Sequence, residues 1–71
     1  MDEIRELDVV ALMTDLPEEN LLRGQVGTVV MDLPPDAAEV EFVDQQGKTY
    51  AMVSIPKSQL LRLRHEPIKA A

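Results

Sequence analysis

The chain has 71 residues, no Cys and a formal net charge of -6. That length builds one small core and no second one, and without Cys the chain has neither disulfides nor thiolate metal sites to staple it. The acidic balance argues against nucleic acid, whose binders present cations to phosphate, and no apolar run reaches the roughly 18 residues that span a bilayer.

Hydrophobic residues make up 45% of the sequence and charged ones 28%, close to ordinary globular usage, so the chain is expected to fold rather than stay disordered. Phe42 and Tyr50 are the only aromatics, which leaves the core to Val, Leu, Ile and Met. Met1-Asp2-Glu3 is the reverse of a basic signal-peptide start, and a cytoplasmic location is expected. The charge is unevenly spread. Residues 1–44 carry twelve Asp and Glu against Arg5 and Arg23, whereas residues 45–71 carry Lys48, Lys57, Arg62, Arg64 and Lys69 against Glu66. Either the fold brings the two signs together and lowers self-repulsion, or an acidic surface built from Asp15, Glu18, Glu19 and Asp36 meets a basic protein partner.

Residues 1–6 form a flexible, charged lead-in, with Ile4 placed to tuck onto the core. Residues 7–13 read as a first strand, with Asp8, Val10 and Leu12 on one face and Leu7, Val9, Ala11 and Met13 on the other. A long loop follows over 14–23, in which Pro17 suits the first position of a short 3₁₀ turn with Glu18 and Glu19 behind it. Leu21 and Leu22 are both expected to fold back on the core.

Gly24-Gln25-Val26-Gly27-Thr28-Val29-Val30 is the anchor of the pattern: two glycines running into a β-branched block. Glycine there points to positive φ or to close approach by a neighbouring strand. The second strand, Val26–Leu33, places Val29 and Met31 on the face of Gly27, with Thr28, Val30 and Asp32 opposite. Pro34-Pro35-Asp36 ends it. In the third strand, Ala38–Val43, Glu39-Val40-Glu41-Phe42 alternates cleanly, Val40 and Phe42 inward. Asp44-Gln45-Gln46-Gly47 is a hairpin turn in which Gly47 supplies positive φ.

The fourth strand, Lys48–Ile55, is apolar on both faces, Ala51, Val53 and Ile55 on one and Tyr50 and Met52 on the other. Pro56 stops it, Lys57–Leu60 suits one turn of 3₁₀ helix, and Leu61-Arg62-Leu63-Arg64 alternates as a fifth strand with both arginines in solvent. Residues 65–71 read as a flexible tail. Five short strands over residues 7–64, with a 3₁₀ turn before the last, describe an all-β chain: a small five-stranded antiparallel SH3-like barrel.

Leu7-Asp8-Val9-Val10, Asp15-Leu16-Pro17-Glu18, Gly24 with Gly27-Thr28-Val29-Val30, Val40-Glu41-Phe42 with Asp44 and Gly47, and Ser58-Gln59-Leu60 together resemble a family of small bacterial proteins described only as a domain of unknown function. The resemblance covers about residues 4–63 and implies an SH3-like barrel, with no catalytic residue or cofactor to carry over. More loosely, Gly24, Gly27 and Val29 are similar to the loop and strand of KOW-type barrels and to the barrel of the nitrile hydratase β subunit. KOW modules that bind RNA carry basic loops where this chain has Asp15, Glu18 and Glu19.

Catalytic chemistry finds little support. His65 stands alone past the last strand, Ser54 and Ser58 lack a nucleophile-elbow context, and the thirteen carboxylates suit a solvated surface. Asp15, Glu18 and Glu19 lack the spacing and glycine of a calcium loop. No enzyme, metal or cofactor is expected. The informative feature is apolar residues on a second face: Val9, Ala11, Met13, Val30, Tyr50 and Met52 fall outside the inner set, either covered by loops or exposed as an interface.

The expected function is therefore protein–protein interaction, with a protein partner or a second copy meeting those residues and Asp15, Glu18 and Glu19. An antitoxin or immunity factor covering a basic toxin is its pointed form. Nucleic-acid binding through Lys48, Lys57, Arg62 and Arg64, or a role as accessory subunit of a larger enzyme, are the alternatives.

Overall fold

The computed structural model describes residues 3–68, so the outer ends of the lead-in and tail, residues 1–2 and 69–71, lie outside it. The chain is all-β: β1 (Val9–Leu12), β2 (Val26–Leu33), β3 (Ala37–Val43), β4 (Thr49–Pro56) and β5 (Leu60–Arg62) form one antiparallel sheet in the order β4-β3-β2-β1-β5. Among the described residues the only helical pieces are two 3₁₀ turns, Pro17–Glu19 in the first loop and Lys57–Gln59 before β5.

One face of this sheet is the core. Val10, Leu12, Val29, Val40, Phe42, Ile55 and Leu60 are buried there, joined by Ala38, by Ile4 from the lead-in and by Leu21 from the first loop. Burial of these side chains is the main stabilising term, at about 1.5–3 kcal/mol for each large aliphatic or aromatic one. Ile4 tucks in as expected. Leu21 is held by paired backbone bonds with Leu16, and Asn20 closes the 3₁₀ turn in the left-handed region at φ 58°. Leu22, expected to fold back with Leu21, instead points to solvent.

Gly27 shows what the glycine signal means. A Cβ built there would lie 2.6 Å from Val40 Cγ1 and 2.8 Å from the Glu41 carbonyl oxygen, so β3 approaches β2 at this point more closely than any residue but glycine permits. The turn at Asp44–Gly47 is also as read: Gly47 has φ 83°, and Asp44 Oδ1 accepts the N–H groups of Gln46 and Lys48, both at 2.9 Å.

Two bulges correct the expected faces. Val29 pairs with Val40 but Met31 pairs with Glu39, which leaves Val30 as an extra residue and turns Met31 outward, where the plain alternation had placed it inside. Likewise Phe42 pairs with Ala51 and Val43 with Thr49, so Tyr50 is the extra residue of β4. Its ring tilts against buried Phe42 at 6.2 Å and its hydroxyl accepts a bond from Gln25 Nε2 at 3.1 Å, so it stands apart from Met52.

The fifth strand begins one residue early. Leu60 takes the inward place and Leu61 faces solvent, while Arg62 is not free in water: its Nε lies 3.2 Å from Asp8 Oδ2. Lys57 Nζ lies 2.7 Å from Asp32 Oδ1. These two ion pairs tie the acidic first part of the chain to its basic end, so the fold does bring opposite signs together.

Candidate functional site

The cross-strand register builds the outer face row by row. Met52 pairs with Glu41, Glu41 with Thr28 and Thr28 with Val9, so these four side chains form one row across β4, β3, β2 and β1. Strands lie about 4.8 Å apart, so Met52 and Val9 stand roughly 14 Å from each other. The next row runs Ser54, Glu39, Met31, with the bulged Val30 beside it. Met31 and Met52 are 53% and 50% exposed and Val30 is exposed too, whereas Val9 is half-buried. Loops therefore do not cover this face.

Two acids punctuate it. Thr49 Oγ1 donates to Glu41 Oε2, which fixes that carboxylate within the sheet. Glu39 stands outside the ion pairs formed among the described residues.

The acidic loop comes next to β4. Asp15 Oδ1 accepts the Arg23 N–H at 2.8 Å, which closes the base of the loop, and the 3₁₀ turn then lifts Glu18 and Glu19 into solvent. With Asp15, Leu16 and Pro17 they form one wall of a cleft of about 370 Å³ whose other wall is Val53, Ser54, Ile55 and Pro56. Sequence reasoning singled out Asp15, Glu18 and Glu19 but missed that second wall. No local signal marks it, because which strand forms a sheet edge depends on the pairing of all five.

The other candidate residues are not gathered there. Met13 lies at the end of β1, its N–H bonded to the Gln59 carbonyl at 2.9 Å, and is 52% exposed. Tyr50 sits at the Gln25 end of the sheet. Among the four cations offered for nucleic acid, Lys57 and Arg62 are held by Asp32 and Asp8 and line a second cleft, of about 650 Å³, with Ile4, Ser58, Leu60 and Leu61. Lys48 is in the exposed β3–β4 turn, and Arg64 and His65 lie past β5.

Among the described residues no group of three or more His, Asp or Glu is placed to hold a metal ion, and no helix is long and apolar enough to cross a membrane. The arrangement sets an exposed apolar face, the acids Glu39 and Glu41, and an acid-walled cleft side by side along β4 and its neighbours.

No curated protein and no solved structure matches the chain. Residues 6–62 match the family described as a domain of unknown function, DUF4926, and the chain belongs to that family.

Proposed function

We propose that this chain is a non-enzymatic protein-interaction module that docks on a basic protein through the outer face of β2–β4 and the acidic first loop. In this reading the sheet curls so that its buried face closes on itself as an SH3-like barrel, which leaves the opposite face for a partner. The observation that carries it is the exposure of Val30, Met31 and Met52 on one face of a chain that already fills its core from the other. Exposed apolar side chains gathered on one face mark interfaces, and methionine side chains adapt to varied partners.

Charge supplies the partner's chemistry. Glu18, Glu19 and Glu39 lie outside the ion pairs of the described residues, in a chain of net charge -6, so a basic surface is the complement. An antitoxin or immunity factor that covers a basic toxin is the pointed form of this function. Nucleic acid is a poorer fit, since Lys57 and Arg62 already satisfy Asp32 and Asp8.

The test is affinity capture at low salt from the source cells, with the parent chain beside Asp15→Lys/Glu18→Lys/Glu19→Lys and Met31→Ser/Met52→Ser. The reading expects a basic protein retained by the parent and lost with both variants. Capture of no basic protein, or one retained by both variants, overturns it. Light scattering across a dilution series separates a heterologous partner from a second copy.

A further inference from the structure

The cleft beside the first 3₁₀ turn touches Val53, Ser54, Ile55 and Pro56, four residues in succession. Consecutive side chains on a strand point to opposite faces. A cleft lined by four in a row therefore meets the strand at its backbone edge. Among the described residues that edge is the free one: β4 ends the sheet and pairs only with β3, from Ala37 opposite Pro56 to Val43 opposite Thr49. On the open side alternate N–H and C=O groups have no ladder partner.

The stretch from Thr49 to Ile55 holds no charged residue, and the edge is regular between the bulged Tyr50 and Pro56, which has no N–H to offer. Natural edges are usually blunted by inward charges, early proline or a covering loop. Here the first loop stands across a cleft from the edge instead of lying on it. Its wall carries Asp15, Glu18 and Glu19, and no Lys or Arg lines the space.

We infer that this cleft takes an extended segment of the partner protein, added to β4 as a sixth strand, with Lys or Arg at alternate positions facing Glu18 and Glu19. The inference rests on the reading of the chain as a protein-binding module and names what the module binds. Main-chain pairing to Ala51–Ile55 supplies affinity with little dependence on sequence, and the carboxylate wall selects for cations. The partner's intervening side chains are β-branched and pack toward Leu16 and Val53, the partly buried apolar residues of the lining.

A set of blocked six-residue peptides alternating Arg or Lys with Val, Ile or Thr is the probe, titrated into isotope-labelled full-length chain and read by NMR and amide hydrogen exchange. Saturable shifts are expected at Val53, Ser54 and Ile55, with exchange slowed on binding at the alternate amides of that stretch that face the open edge. Glu18→Lys/Glu19→Lys, which alters only exposed side chains, weakens binding at least tenfold, and so does methylation of alternate peptide nitrogens at unchanged charge. Binding that survives N-methylation, or that ignores the charge reversal, overturns the inference, as does a set in which no peptide saturates. Shifts confined to Val30, Met31 and Met52 also overturn it while leaving the docking function intact. Loss of the whole-protein capture described above instead removes that function itself.

Discussion

The two faces of the β2–β3–β4 region use the same residue types to opposite ends. On the inner face Val29, Val40, Phe42 and Ile55 have no solvent exposure, while on the outer face Val30, Met31 and Met52 stay open to water. Composition does not separate them; the bulge at Val30 does, because one extra residue sends Met31 across the sheet. A chain this small has few apolar side chains to spare from its core. Those left outside contribute little to folding and are available for contact.

Substitutions on the two faces should sharpen the contrast. Phe42→Ala removes the largest fully buried side chain and should cost about 3–5 kcal/mol by chemical denaturation, enough to leave much of the chain unfolded. Gly27→Ala comes next, at about 1–3 kcal/mol, because its Cβ meets the Glu41 backbone oxygen at 2.8 Å and backbone cannot step aside. Gly47→Ala isolates the conformational part of a glycine's role: nothing lies within 4 Å of a Cβ there, so only the positive φ is penalised. About 1 kcal/mol is expected. If Gly27→Ala costs no more than Gly47→Ala, close approach of β3 is not what that glycine permits. Smallest of all, Met31→Ser/Met52→Ser should move stability by no more than about 0.5 kcal/mol while abolishing capture of the partner. A loss of several kcal/mol from that pair would place both methionines in the core and erase the distinction.

Much of the inner face was legible in the residues because it depends on local rules. Glu39-Val40-Glu41-Phe42 alternates at the period of a strand, Gly47 follows Asp44 at turn spacing, and Pro17 begins a 3₁₀ turn, all within a few residues of one another. Gly27 announced either a positive φ or a close approach, but neither which of the two nor that Val40 and Glu41 make the approach. Bulges were not readable: whether Val30 or Tyr50 is extra depends on which residues of β3 stand opposite, and that is a property of the pair.

The candidate site divides along the same line. Asp15, Glu18 and Glu19 stood out as an acidic loop, but Val53, Ser54 and Pro56 became its opposite wall only once β4 proved to be the outermost strand. Arg62 looked solvated because its partner, Asp8, lies on β1's approach, far away in sequence.

The uncharged strand at the sheet's edge also bears on how the protein behaves as a sample. The strand Thr49–Ile55 carries no charge of its own to repel a second copy, and Lys48 and Pro56 guard only its two ends. Pairing of copies there is opposed by the acidic wall of Asp15, Glu18 and Glu19 and by the net charge of -6. That restraint reaches about 10 Å at 0.1 M salt and about 3 Å at 1 M. Concentrated salt, the usual remedy for sticky acidic proteins, should therefore promote edge-to-edge association, and dilute buffer should oppose it.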